Sequence, residues 1–169
     1  MRGIAVGCGL ALAVALLVAQ QPAPQTITYR SAADVAAMVA KAKTQNDAKA
    51  QALISQRILA LAPYNANLEY RASVGPASVH ETEAELFYVI DGSGTLTTGG
   101  KLTGEQRTNA ENLTGTGIEG GHSQAVAKGD FMIVPEGTPH WFSEVKQTLV
   151  LMSLHVPRGQ NARVIPAAK

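Results

Sequence analysis

The apolar positions of this chain change rhythm three times, and each rhythm predicts a different kind of segment. From Ile4 to Ala19 they run unbroken behind Arg2, then stop at the polar, proline-containing Gln20-Gln21-Pro22-Ala23-Pro24. That order of positive charge, apolar run and small-residue boundary is the pattern of a secretory leader, here residues 1–23, and predicts a periplasmic or secreted protein. The run is about sixteen residues long, short of the roughly 20 that span a bilayer. An uncleaved leader is the alternative, and the chain's one expected route to a membrane.

The second rhythm is helical. Ser31-Ala32-Ala33-Asp34 has the form of a capping box with Asp in place of Glu, and Val35, Met38, Val39 and Ala42 follow at helical spacing. A helix from Ala32 to Lys43 is predicted, ended by the turn-favouring Thr44-Gln45-Asn46-Asp47. Ala48 to Ala62 fits a helical stripe or a strand stopped by Pro63, and we read it as strand.

From Asn67 onward short apolar or alternating runs are separated by turn signals, the pattern of an all-β sandwich or barrel. The expected strands are Leu68 to Val74, Leu86 to Ile90, Thr95 to Thr98, Gln124 to Ala127, Phe131 to Val134, His140 to Val145 and Thr148 to Val156. Asp91-Gly92 predicts a two-residue hairpin, and Glu144 to Gln147 a turn. The polar stretch from Gly104 to Gly121 is longer than most loops, which predicts a functional flap or a decorated hairpin. The domain plan is a leader (1–23), an extension with a helix (24–66), a barrel (67–157) and a tail (158–169).

Composition narrows the function classes. At 169 residues the chain has a one-domain length. Its formal charge of +1 is scattered, with no basic stripe for phosphate neutralisation, so nucleic acid is not an expected partner. Cys8, the single cysteine, lies in the apolar run, so a mature chain forms no disulfide and its stability must come from packing.

The chemistry-bearing residues sit in two places. Gly129 to His140 reads G-x5-P-x-G-x2-H, in which glycine opens a strand, Pro135 and Gly137 turn the chain, and His140 starts the returning strand. This resembles the second motif of the cupin superfamily, with Glu144 where that motif usually has Asn. Ser78 to Gly92 is similar to the later part of the first cupin motif: His80, then Glu85, then Gly92, with Ser78 where the family has its first histidine. The chain looks like a small single-domain bacterial cupin of the conserved-barrel type, not like a seed storage protein.

The resemblance implies an all-β double-stranded β-helix, a jelly-roll barrel, with an N-terminal helical extension and pairing into a homodimer through edge strands. It implies one divalent transition metal (iron, manganese, zinc, nickel or copper) on His80, Glu85 and His140. Independently, His and Glu facing a barrel interior need a partner or a metal to offset desolvation; a metal-free hydrogen-bonded pair is the alternative. Glu81 and Glu83 are expected to face outward, either of them able to replace the missing ligand if the strand bulges, and Glu83 is also a candidate base. His122, after Gly120-Gly121, is a candidate acid, base or extra ligand if the loop closes over the barrel. His155 fits a barrel end or the pocket equally. Phe87, Val89 and Phe142 share strand parity with the ligands and are candidate pocket walls or plain core, and Ser78 a candidate substrate contact. The functional expectation is a metal-dependent enzyme on a small organic substrate, an oxygenase first and an isomerase next. A non-catalytic periplasmic binding or sensing protein is the rival.

Overall fold

The structure, a computed structural model, describes residues 26–159. The expected leader lies outside them, as does the expected tail beyond its first two residues. Helix α1 (Ala32–Lys49) starts on a complete capping box: Ser31 Oγ accepts from the Asp34 amide at 3.1 Å, and Asp34 Oδ2 accepts from the Ser31 amide at 3.0 Å. The helix runs past Lys43, where the sequence predicts its end. The turn-favouring residues satisfy themselves within it instead: Thr44 Oγ1 donates back to the Ala40 carbonyl, and the Asn46 carbonyl receives the amide of Ala50, which closes the helix at φ 49°.

Eleven strands follow among the described residues: β1 (Leu53–Leu61), β2 (Tyr64–Arg71), β3 (Ala77–His80), β4 (Glu83–Thr98), β5 (Lys101–Thr103), β6 (Gln106–Arg107), β7 (Asn112–Gly115), β8 (Gly117–Glu119), β9 (His122–Ala127), β10 (Phe131–Val134) and β11 (His140–Pro157). Nine of them make one sheet in the order β1-β2-β11-β3-β7-β6, with β4 joining β11 to β9 and β10; β5 and β8 pair separately. The sheet begins at Leu53, inside the segment expected as an extension. Its curling gives the double-stranded β-helix the sequence predicts, with a core of Phe87, Val89, Leu96, Val126, Val134, Phe142, Leu149 and Leu151. Helix α1 covers the other face of the sheet, where Ala42 packs with Ile54, Leu68, Tyr70 and Val150.

Two expected turns are bends inside long strands. β4 runs unbroken through Asp91-Gly92, because β11 lies antiparallel along both of its halves, from Thr98 opposite His140 to Glu83 opposite Pro157. Gly92 uses its freedom at φ 82° to bend the strand, and the register slips opposite it, between Lys146 and Leu149, near Gln147 at φ 63°. The Glu144 to Gln147 turn is therefore a bulge in β11. A side chain at Gly92 has no room, since its Cβ would stand 2.1 Å from the Thr148 carbonyl oxygen. The Gly104–Gly121 stretch is the decorated hairpin of the two alternatives, carrying β6, β7 and β8.

Gly92→Ala combines a left-handed backbone with a backbone clash, and is expected to cost about 2–4 kcal/mol in urea unfolding. A cost within about 0.5 kcal/mol of zero would show that the paired bend does not hold the barrel together.

Candidate metal centre

Three strands bring their polar residues to one end of the barrel. His80 ends β3, and Glu85 lies on β4 between Val134 of β10 and His155 of β11. His140 opens β11 after the Pro135 to Pro139 turn, which is pinned to β3 by the Gly137 amide donating to the His80 carbonyl at 2.7 Å. Glu85 is buried, and three imidazoles converge on it: His80 Nε2 at 3.2 Å and His140 Nε2 at 3.1 Å from Oε2, and His155 Nε2 at 3.3 Å from Oε1. The ligand atoms of His80, Glu85 and His155 all lie within 4.8 Å of one another, and His140 adjoins that trio through its contact with Glu85 Oε2.

The far side of each ring is tied as well. His80 Nδ1 meets Asn112 Oδ1 at 2.6 Å, His140 Nδ1 meets the Thr138 carbonyl at 3.1 Å, and His155 Nδ1 meets Glu83 Oε2 at 3.0 Å. These partners accept protons, so each Nδ1 carries one and each Nε2 is left with a lone pair in the neutral ring. Three such lone pairs facing a carboxylate repel it unless a cation, proton or metal, stands among them. Carboxylate, backbone and amide partners behind the ring are the outer support that metal-binding histidines ordinarily have. Metal bonds of about 2.1 Å put neighbouring donor atoms roughly 3.0–3.5 Å apart, a range that the three imidazole-to-carboxylate separations of 3.1–3.3 Å share with hydrogen bonds. The residues fit a divalent transition metal.

The protonation bias agrees. Burial works to raise the Glu85 pKa, but hydrogen bonds from His140 and His80 and the charges of His140 and His155 hold it well below the usual carboxylate range. Burial works to lower that of His80, but hydrogen bonding to Glu85 and Asn112 and the charges of Glu85 and Glu83 raise it.

The cavity over this cluster has a volume of about 200 Å³ and is lined in part by Ser78, Trp141, Phe142, Glu69 and Arg71. Ser78 thus stands on the wall, opposite His140 in the β3–β11 pair. Phe142 is a wall residue, while Phe87 packs behind it with ring centroids 5.3 Å apart and Val89 belongs to the core. Glu83 does not face outward: two residues from Glu85 on β4, it shares the inner face and holds His155. Glu81 is the outward one, paired with Arg107 at 2.7 Å. His122 is exposed at the start of β9, opposite Thr98, and does not line the cavity. The sequence patterns leave His155 undecided, and they do not single out Glu69, Arg71, Trp141 or Asn112 for the site. A larger hollow of about 490 Å³ beside α1, lined by Arg30, Asp34, Lys41 and Gln56, has none of these histidines.

A pH experiment follows from the raised His80 value. With no metal bound, the folded chain holds a proton on His80 more firmly than the unfolded chain does. That stabilisation is full below the unfolded value near 6.5 and is lost as pH rises through the folded one. Glu85 contributes above its unfolded value and loses that contribution only far below, so it stays constant here. The melting temperature of chelator-treated protein is therefore expected to fall as pH rises above about 6.5, and added zinc or manganese to remove that fall. A metal-independent, flat profile would contradict this account of the cluster.

No curated protein matches the sequence. Among solved structures, KdgF from a Halomonas species aligns with 16% identity over 65% of this chain and 84% of its own, at a TM-score of 0.47. Iron(II) HppE aligns with 15% identity over 63% and 52%, at 0.47. The 11S globulin from Wrightia tinctoria aligns with 21% identity over 56% and 20%, at 0.41. The cupin family model matches residues 31–168, from the N-cap of α1 to beyond the last strand. On that match, the chain belongs to the cupin family.

Proposed function

We propose that the protein is an exported, metal-dependent cupin enzyme, an oxygenase, acting on a small organic molecule. One divalent transition metal is held by His80, Glu85 and His155, with His140 completing the set. The observation that carries the reading is the convergence of three Nε2 atoms on one buried carboxylate, with every Nδ1 already tied behind. Nitrogen and carboxylate donors suit iron, manganese, zinc, nickel and copper alike. When bound, such a metal supplies Lewis-acid or redox chemistry to an oxygen-bearing substrate.

The chain's own residues do the rest. Glu83, Asn112 and the Thr138 carbonyl orient the imidazoles, and Phe142 and Trp141 limit the substrate's size. A cavity of about 200 Å³ is below the roughly 300–1,000 Å³ of drug-sized sites, which favours a ligand of few heavy atoms. The two side chains nominated as bases are elsewhere engaged or remote, Glu83 on His155 and His122 outside the cavity. That favours chemistry centred on the metal over isomerisation by a side-chain base. The same scarcity of bases also supports the second reading, a non-catalytic binding or sensing protein.

Export is part of this proposal and rests on the Ile4 to Ala19 run behind Arg2. So is a homodimer, supported by edge strand β10, where Phe131 and Ile133 are 70% and 63% exposed.

Protein purified without added metal is expected to carry close to one transition metal per chain by elemental analysis, and a His80→Ala/His140→Ala variant none. His155→Ala is expected to lower metal affinity at least about tenfold, and Glu83→Gln by about 10–100-fold. No metal in the wild type even after reconstitution would sink the proposal. With iron loaded, substrate-dependent oxygen consumption that His140→Ala abolishes identifies an oxygenase; saturable binding without product identifies the second reading.

A further inference from the structure

Two charged residues on the cavity wall have no part in holding a metal. Glu69 and Arg71 both lie on the inner face of β2, opposite Leu151 and Leu149 of β11. Glu69 is buried; its Oε1 accepts from Ser153 Oγ at 2.9 Å, and its Oε2 from Arg71 Nε at 3.0 Å and Nη2 at 2.6 Å. The Arg71 guanidinium carbon sits 4.7 Å from the centroid of the Phe142 ring, and the side chain is 13% exposed. One edge and one face of the guanidinium are therefore fixed. Of its five N–H donors, two go to Glu69, and those on Nη1 meet no acceptor among the described residues. Beside Nη1 is Gly75, where an added Cβ would come within 3.9 Å of it; the glycine leaves that end of the fork uncovered.

We propose that Arg71 is the anion anchor of the cavity, and that the ligand is a small carboxylate with a hydroxyl or carbonyl oxygen next to the carboxyl group. The inference rests on the metal reading above and gives it a substrate class. A guanidinium that merely neutralised Glu69 would need neither the aromatic platform nor an open second amino group; no buried side-chain nitrogen or oxygen among the described residues lacks a partner, so the Nη1 donors are open to solvent and to a ligand. A preorganised fork suits the two oxygens of a carboxylate. A phosphate dianion would meet one guanidinium whose charge Glu69 already shares. Charge on the metal side agrees, because a divalent ion with Glu85 as the single carboxylate on it leaves one positive charge for a monoanion to balance. The size of the cavity keeps such a ligand small.

Calorimetric titration of manganese-loaded protein tests this with glycolate as probe, beside ethylene glycol as its uncharged counterpart and inorganic phosphate. Glycolate is expected to bind at least tenfold more tightly than either, and Arg71→Gln to lose at least tenfold of that affinity with manganese content unchanged. Because Arg71→Gln strands the Glu69 carboxylate, the double variant Glu69→Gln/Arg71→Gln, which removes both charges, is titrated as well and should show the same loss with a cooperative melting transition. Undiminished glycolate binding by a folded, manganese-loaded double variant overturns the anchor while leaving the metal reading intact. Phosphate bound as tightly as glycolate overturns the carboxylate class. Failure of the wild type to take up manganese or any other transition metal overturns the metal reading itself, and the anchor with it.

Discussion

A carboxylate removed from water must be met by positive charge or by donors, and at Glu85 that requirement organises a whole end of the barrel. The residue sits on the central strand β4, so satisfying it draws in β3 through His80 and β11 through both His140 and His155. Each of those rings must in turn be held from behind. Asn112 of β7, the Thr138 carbonyl of the turn and Glu83 of β4 do so, so the apparently decorative 104–121 hairpin has a structural reason to reach back to β3. Arg107, bidentate on Glu81, and Asn109, which accepts from Asn112 at 3.0 Å, tighten that hairpin against the site.

The barrel could be read from the sequence because alternation and turn residues report local backbone geometry directly. The run from Gly129 to His140 is the best case: strand, tight turn and returning ligand appear in the order in which the chain needs them. Asp91-Gly92 shows the limit. The positive φ that its glycine signals is there, but whether a chain with such a residue reverses or merely bends depends on whether a partner strand continues alongside. Here β11 does continue, and nothing local to Asp91 records it. Thr44 to Asp47 fails in the same way, since side chains that favour turns also bond back to a helix's own carbonyls.

His155 was hidden for a different reason. Leu149, Leu151, Ser153 and His155 form one face of β11, which would mark His155 as inward if the other face were polar. The other face carries Val150, Met152 and Leu154, the first buried against α1 and the other two half-buried. A strand apolar on both faces has no amphipathic asymmetry to read. Glu83 and Glu85, by contrast, share a face by simple parity. Arg71 gave no signal at all, as its role depends on Phe142, seventy-one positions away in the chain, and on the missing side chain at Gly75.

β11 supplies a histidine at each end, and the second lies near the close of the last strand. A ribosome or a translocation pore delivers the chain from its N-terminus, so His155 is among the final residues of the domain to emerge. Until then the cluster has its carboxylate and at most two of its imidazoles, with β4 lacking the partner that runs along it. With a metal bound as proposed, the site closes only once His155 has been delivered, and the ion would be drawn from the compartment in which folding finishes. Metal identity would then reflect where the chain matures as much as the affinity order of its donors.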